Sequence, residues 1–366
     1  MRSVKRKTGS AKSTRRLNHK SPNRTTPQIR LEPRPLDPLL WDYHLSLRGT
    51  YYPLGFPLEI RTNSPDVLRA AEESWGRFQK TFSTPPLRMR LGVVPGSSDE
   101  CPREPVCRGQ RNLITQVADA ENYVVSDIRA GFSFGWVTEA VARHQAYLRY
   151  HFIEGTALTL LECLHVTSVH AACISLHGRG VLLCGDSGAG KSSLSFACAR
   201  NGWTFLSDDS TMVVRKNPGR LVIGNPYQIR FRDSATALFP ELRTARVSQR
   251  LSGELSIELA TASMPGIATT SECNVDYLVF LNRYHPEPDG LFRFPKETAL
   301  SWLNQVVCFG DRHLRDKHKA VLEQLAAGEI FEMRYTEMAT ALRLLEGLVR
   351  DRQDVVDPCL VAAGEH

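Results

Sequence analysis

No run of apolar residues in this sequence approaches the roughly 20 residues that span a bilayer, which excludes an ordinary transmembrane helix. The basic N-terminus also lacks the apolar segment of a secretory signal. The nine cysteines are scattered, and Cys101 and Cys107 are separated by five residues, which is not a zinc-knuckle spacing. There is no internal repeat, so a solenoid is excluded. These absences predict a globular protein of the reducing cytoplasm.

The net positive charge of the chain is confined to its first 35 residues. Residues 1–35 carry eleven Lys or Arg and one acid, Glu32, whereas the net charge of the whole 366-residue chain is +7. The remainder is therefore slightly acidic, and its charge gives no case for nucleic-acid binding. Because residues 1–36 contain almost nothing apolar, we predict a disordered basic tail there, and a flexible tail at 353–366.

The pattern between the tails predicts a mixed α+β region at 38–160 without a catalytic motif. Ser64-Pro65-Asp66 is typical of a helix start, with an N-cap, a proline at the first position and an acid in the first turn. We expect this helix to continue to about residue 82 and residues 95–112 to form a loop. The predicted strands are 43–47, 58–61, 87–93, 113–119, 122–127 and 132–137, followed by helical sequence at 138–165.

Residues 165–352 are predicted to form an α/β domain. Apolar strands are expected at 171–176, 181–184 and 203–206, with a helix between the last two. Further elements are a hairpin around 217–219, a strand at 277–281, helices at 297–307 and 314–327, a strand at 330–335 and a final helix capped by Thr336.

A glycine-rich stretch links the strand at 181–184 to the following helix and fits the P-loop pattern G-x-x-x-x-G-K-[ST]. Glycines allow successive backbone N–H groups to face phosphate oxygens, and the helix N-terminus adds partial positive charge. A chance glycine-rich turn is the alternative. The predicted nucleotide-binding residues are Gly185, Asp186, Ser187, Gly188, Ala189, Gly190, Lys191, Ser192 and Ser193.

Two adjacent acids, Asp208 and Asp209, end the strand after the P-loop helix. In phosphoryl transfer one carboxylate can hold Mg²⁺ while another accepts the proton of an attacking hydroxyl. The alternative is a single metal-binding acid beside a solvated one. His170 opens the strand that comes before the P-loop strand. It is either a charge partner or proton shuttle beside the phosphates, or a structural histidine. Arg283 and Arg293 are basic features that suit either phosphate sensing or a solvated surface.

Together, His170, the glycine-rich stretch and the Asp208–Asp209 pair resemble the catalytic domain of bacterial HPr kinase/phosphorylase, which is similar to the nucleotide core of phosphoenolpyruvate carboxykinase. The resemblance implies ATP and Mg²⁺ as cofactors, with Asp209 as the catalytic base, His170 at the phosphate and Lys191 on the transferred group. It also implies that Ser192 is a metal ligand. From the Asp208–Asp209 pair we expect Asp208 to be a second metal ligand.

The sequence departs from the family pattern at two places. Ser193 stands where the family usually has an acid. Gln228-Ile-Arg230-Phe replaces a Glu-Ile-Arg-Gly signature whose Glu helps bind metal, so Gln228 and Arg230 are kept as support for phosphate or metal.

The expected function is ATP- and Mg²⁺-dependent transfer of the γ-phosphoryl group to a hydroxyl, with Ser or Thr of a protein or peptide as the acceptor class. A small-molecule kinase and a regulatory nucleotide-binding ATPase are the alternatives. The acceptor itself is unknown from sequence. No membrane partner is expected, and relatives of this type are often homo-oligomers.

Overall fold

The computed structural model describes residues 44–216, 220–245, 247–249, 255–305, 311–350 and 355–356. The protein is a mixed α/β structure in which helices pack on two large β-sheets. The predicted tails at 1–36 and 353–366 and the predicted turn at 217–219 lie outside the described residues, except for Val355–Val356. Among the described residues, no helix is both long and apolar enough to cross a membrane.

The first region contains one seven-stranded sheet with helices on one face. Its strands are Leu47–Tyr51 (β1), Leu58–Thr62 (β2), Leu87–Val94 (β3), Val106–Gln110 (β4), Leu113–Val117 (β5), Tyr123–Asp127 (β6) and Phe132–Thr138 (β7). Its helices are Pro65–Trp75 (α1), Glu139–Arg143 (α2), Gln145–Tyr147 (α3) and Gly155–Leu164 (α4), with a π-helical segment at Leu148–Glu154. The strand order is β1-β2-β3-β7-β6-β5-β4.

Three predictions for the first region were wrong. The first strand begins at Leu47 rather than residue 43, because pairing with β2 sets its register and buries Tyr51. The helix that starts at Ser64, whose hydroxyl accepts from the Asp66 backbone N–H, ends at Trp75 rather than near residue 82. The predicted loop at 95–112 contains β4, an exposed edge strand without the alternating apolar pattern that predicts strands.

The second region contains a larger branched sheet and a three-stranded sheet. Its strands are Val166–Val169 (β8), Ala172–Leu176 (β9), Arg179–Cys184 (β10), Thr204–Ser207 (β11), Thr211–Val214 (β12), Leu221–Ile223 (β13), Gln228–Arg232 (β14), Val247–Gln249 (β15), Leu255–Ala260 (β16), Ala268–Thr269 (β17), Glu272–Asn282 (β18), Gly290–Arg293 (β19), Glu329–Arg334 (β20) and Val355–Val356 (β21). Its helices are Lys191–Arg200 (α5), Lys296–Leu303 (α6), Arg312–Leu325 (α7) and Met338–Arg350 (α8).

The order of the larger sheet is β17-β11-β9-β10-β18-β13-β12-β8, and β20 also pairs with β18. Strands β10, β18 and β20 run parallel, whereas β9 is antiparallel to both β10 and β11. The predicted β9–β10 hairpin, helix α5 and the β12–β13 hairpin are confirmed. The last helix begins at Met338, so Glu337 rather than Thr336 directly precedes it, and the Thr336 hydroxyl donates to Asp289.

One buried apolar cluster joins the two regions. Residues of the first sheet and its helices share one buried cluster with Val166, Met212 and Ile223 of the second region. At this junction the ring of Phe56 stacks on that of His165, with centroids 4.8 Å apart. Burial of the same apolar surface by both regions couples their folding.

Candidate functional site

The glycine-rich loop lies between β10 and α5, at the carboxyl end of β10. Gly188 and Gly190 have φ values of 92° and 99°, which strongly favour glycine because a side chain would clash in this conformation. At Gly185, whose φ is 146°, a Cβ would stand 2.9 Å from the Cβ of Ala189. The loop therefore closes tightly over the N-terminus of α5, where unpaired backbone N–H groups favour an anion.

Lys191 is the first residue of α5, and its side chain is folded back against the loop. It is only 5% exposed, and its Nζ donates to the carbonyl oxygens of Gly185 at 2.7 Å and Asp186 at 3.2 Å. Burial lowers the pKa of the ammonium, while the nearby Asp209 carboxylate acts in the opposite direction. The ammonium is thus held by neutral carbonyls that a phosphate oxygen could replace.

His170 connects Lys191 to Asp209. Its Nε2 lies 3.1 Å from Nζ of Lys191, and its Nδ1 lies 3.3 Å from Oδ1 of Asp209. Because an ammonium can only donate, Nε2 accepts, and the ring proton is assigned to Nδ1, facing the carboxylate. The side chains of His170 and Asp209 are 40% and 53% exposed, so a reactant can reach this end of the chain of contacts.

The sheet pairing explains why His170 and Asp209 meet. The linker that carries His170 joins β8 to β9, and the linker that carries Asp209 joins β11 to β12. Since β9 pairs with β11 and β8 pairs with β12, the two linkers run side by side. The Thr211 hydroxyl fastens them by bonding the Ser207 hydroxyl at 2.6 Å and the Ala171 carbonyl at 2.8 Å.

Asp208 has a different environment from its neighbour Asp209. Its Oδ2 accepts the backbone N–H of Arg230 at 2.7 Å, and its own carbonyl accepts a long hydrogen bond of 3.4 Å from Ser192. Burial raises the pKa of Asp208 to about 6, with a smaller contribution of the same sign from Asp209 and an opposing one from the Arg230 N–H. Two adjacent carboxyls with unlike surroundings are suited to two roles.

Glu258 is a candidate site residue that the sequence reasoning missed. Its carboxylate accepts from Nε2 of Gln228 at 2.8 Å and lies 3.2 Å from Nε of Arg230, its cross-strand neighbour on β14. Gln228 stands at the position where the family pattern has Glu. The Glu258 carboxylate lies beside it and supplies a negative charge there. The sequence of β16 alternates apolar and polar residues, which is typical of a strand. Nothing in that pattern indicates pairing with β14, so it did not place Glu258 near the site.

Further contacts hold the outer side of the glycine-rich loop. The Asp186 carboxylate accepts from the indole N–H of Trp302 at 3.0 Å, and Ser187 accepts from Arg232 at 2.7 Å. Ser193 lies half-buried in the first turn of α5. The predicted loop residues, His170 and both acids are thus brought together, and Gln228 and Arg230 join them through Glu258 and Asp208.

The donor set fits Mg²⁺, although the described residues contain no group of three or more His, Cys, Asp or Glu arranged to hold a metal ion. Mg²⁺ is usually bound by one or two carboxylates together with phosphates and water, so a dense protein cluster is not required. Ser192 and Asp208 supply a hydroxyl and a carboxylate next to the loop.

The segment that contains most of these residues is similar to known proteins. Residues 162–231 match the family described as HPr Serine kinase C-terminal domain. An HPr kinase/phosphorylase of Streptococcus thermophilus is 40% identical over 63 residues, which are 17% of this chain and 20% of that protein. One of Shouchella clausii is 38% identical over 61 residues, with the same coverage of both chains.

The chain thus spans about a fifth of the length of the curated relatives it matches. Among solved structures, the HPr(Ser) kinase/phosphatase from Coxiella burnetii is similar at 12% identity and a TM-score of 0.30, covering 50% of this chain and 89% of that chain. The segment 162–231 contains His170, the glycine-rich loop, both acids, Gln228 and Arg230. Over this segment the chain is therefore similar to the HPr Serine kinase C-terminal domain.

Proposed function

We propose that this protein is an ATP- and Mg²⁺-dependent kinase that transfers the γ-phosphoryl group to a Ser or Thr hydroxyl of a protein or peptide. The observation that carries the proposal is that Lys191 contacts His170 and His170 contacts Asp209. These contacts lie beside the glycine-rich loop and the N-terminus of α5. The matched relatives are HPr kinase/phosphorylases, which supports a kinase. Residues 165–352 would then form the P-loop domain, preceded by the α+β region at 38–160.

The glycine-rich loop and the N-terminus of α5 would bind the phosphates of ATP through backbone N–H groups. Lys191 would turn from the carbonyls of Gly185 and Asp186 to the transferred group, where its positive charge offsets the charge of the phosphate oxygens. Asp209 would accept the proton of the attacking hydroxyl as that oxygen bonds to the γ-phosphorus and the bond to the leaving ADP breaks. His170 holds its Nδ1–H towards Asp209 and so orients the base.

Mg²⁺ would neutralise phosphate charge when bound. Ser192 and Asp208 would hold it, and Glu258 would add negative charge nearby through its contacts with Gln228 and Arg230. The separation of roles between Asp208 and Asp209 follows from their surroundings, since Asp208 is tied to a backbone N–H and Asp209 faces solvent.

The exposure of Asp209 favours a macromolecular acceptor over a small molecule. A base whose side chain is 53% exposed can receive a hydroxyl carried on a peptide or protein, whereas small substrates are usually enclosed in a concave pocket. A regulatory ATPase is the second candidate function, because Gln228 replaces a metal-binding Glu of the family pattern.

Transfer of labelled phosphate tests the proposal. Full-length protein is incubated with Mg²⁺, ATP labelled at the γ-phosphate, and either a peptide library containing Ser and Thr or a cell lysate. We expect labelled Ser or Thr residues that are absent when Lys191→Met replaces the wild type. Slow release of phosphate without any labelled acceptor would instead favour the regulatory ATPase.

A further inference from the structure

The glycine-rich loop has a second set of polar neighbours. Strands β10, β18 and β20 are parallel and adjacent, and all end at the same edge of the sheet. The loop follows β10, Arg283 follows β18, and Tyr335 follows β20. Ligands of parallel α/β sheets bind at this edge. His170 and Asp209 lie in the linkers at β9 and β11, on the other side of β10, so Arg283 and Tyr335 flank the loop from the side opposite the acid–base residues.

Arg283 lies against the last glycine of the loop. A Cβ built on Gly190 would be 3.6 Å from Cδ of Arg283 and 3.9 Å from its Nη1. The guanidinium carbon is 5.8 Å from the centre of the Tyr335 ring. No Asp or Glu of the described ranges forms an ion pair with this half-buried arginine. A half-buried guanidinium that lacks a carboxylate partner is suited to bind an anionic ligand.

Tyr335 places a buried hydroxyl at the same point. The residue is 1% exposed, and its oxygen is 3.2 Å from the position of a Cβ on Gly190. Within the described part of the chain this hydroxyl has no hydrogen-bond partner. Burial raises the pKa of Tyr335 to about 12, so the phenol keeps its proton and remains a donor at neutral pH. An unpaired buried donor costs stability unless a ligand accepts from it.

We propose that Arg283 and the Tyr335 hydroxyl bind the phosphates that remain on the leaving nucleoside diphosphate. The inference rests on the proposed function, and it adds a binding arm formed by residues outside the matched segment 162–231. The guanidinium fork and the phenolic O–H are both donors, which suits the oxygen atoms of a phosphate. His170 and Asp209 mark the side of the transferred group, and the arm is on the other side of Gly190.

Affinity for ADP and ATP tests this arm, measured by titration calorimetry with the full-length protein and Mg²⁺. Arg283→Gln should weaken both nucleotides by about the same factor, roughly 10- to 100-fold, since hydrogen bonds to a charged group are lost. Arg293→Gln is the matched control, because Arg293 also lies over an aromatic ring, that of Phe331, but pairs with Glu329. The control should bind both nucleotides as the wild type does.

Tyr335→Phe removes only the hydroxyl and separates binding from structure. We expect weaker ADP binding and a melting temperature in the absence of nucleotide that is unchanged or higher, because an unpaired buried donor is removed. A lower melting temperature with unchanged ADP affinity would show that the hydroxyl is structural and would overturn its role.

The remaining outcomes are also decisive. A loss confined to ATP would place Arg283 on the transferred group, and unchanged affinity for both nucleotides would remove it from the site. Either result overturns the inference while leaving the proposed function intact, provided that Lys191→Met still loses nucleotide. Absence of nucleotide binding by the wild type would contradict the proposed function and this inference together.

Discussion

The ammonium nitrogen of Lys191 lies 3.1 Å from Nε2 of His170, although the two residues are 21 positions apart in the chain. A buried ammonium needs acceptors, and Lys191 finds them in this ring nitrogen and two loop carbonyls. The charge is therefore already held at the glycine-rich loop, within reach of a phosphate.

Replacing Lys191 with Met should abolish most nucleotide binding while preserving the fold. Methionine fills much of the same volume without the charge, and the lost charge-assisted hydrogen bonds correspond to about 1.5–3 kcal/mol each. Calorimetric titration with ATP and Mg²⁺ measures the loss, and circular dichroism checks the fold. A folded Lys191→Met protein with wild-type ATP affinity would contradict the assignment of the loop.

Replacing Asp209 with Asn should separate binding from transfer. The amide is nearly isosteric and does not touch the loop, so ATP affinity should persist, whereas phosphoryl transfer should fall by roughly 10²- to 10⁴-fold for loss of a general base. The matched variant Asp208→Asn should instead raise the Mg²⁺ concentration needed for activity. Both are measured by labelled-phosphate transfer across a Mg²⁺ series, and equal transfer rates for Asp209→Asn and wild type would refute the base.

Replacing Glu258 with Gln should raise the Mg²⁺ concentration required for ATP binding by about tenfold, the effect typical of groups that support metal ligands. Titrating Mg²⁺ at fixed ATP, with calorimetric detection, measures this without relying on turnover. Glu329→Gln is the control. Glu329 also pairs with an arginine, Arg293, but it is the first residue of β20, whereas the glycine-rich loop lies at the edge where β20 ends. If both variants require the same Mg²⁺ concentration as wild type, Glu258 has no part in the metal site.

The stability of the folded protein should fall as pH decreases from about 6.5 to 4, and His318 should account for part of the loss. Nη2 of Arg215 lies 2.8 Å from Nε2 of His318, and arginine can only donate, so the ring is neutral. Burial, followed by the Arg215 charge, lowers the pKa of His318 to about 4. The unfolded chain therefore takes up a proton near pH 6.5 that the folded chain refuses, which favours unfolding below that pH.

Urea unfolding of wild type and His318→Gln at pH 7.5 and pH 4.5 measures this contribution. Glutamine retains an acceptor for Arg215 but does not titrate, so its loss of unfolding free energy between the two pH values should be smaller by about 2–3 kcal/mol. His165 and Glu162 also have shifted pKa values. Both residues are present in wild type and in the variant, so their contributions cancel when the two losses of unfolding free energy are compared. Equal losses would show that His318 is protonated in the folded state.

The shared core predicts that the two regions unfold together. Phe56→Ala should destabilise the protein by about 3–5 kcal/mol, because Phe56 is 2% exposed and stacks on Phe82 and His165. Tyr284→Ala, at an 89% exposed position, should change the unfolding free energy little. Thermal unfolding followed by near- and far-ultraviolet circular dichroism should show one coincident transition, and two separated transitions would contradict a common core.

Much of the local structure could be predicted from sequence because its causes are local. Ser64 and Pro65 set the start of α1, and the alternating apolar residues at 87–93 predict β3. Edge strand β4 could not be predicted, since all five of its residues are exposed and only pairing with β5 makes it a strand. The start of β1 likewise depends on its register with β2.

The glycine-rich loop and its helix can be predicted from eight consecutive residues, which carry the whole signal. The residues that surround the loop are brought there by the tertiary structure. Pairing of β9 with β11 and β8 with β12 brings His170 to Asp209, and pairing of β14 with β16 brings Glu258 to Arg230. Arg283 and Tyr335 meet at Gly190 because three parallel strands end at one edge. Each contact joins residues far apart in the chain, and their proximity is set by backbone hydrogen bonding between strands, which short sequence patterns do not encode.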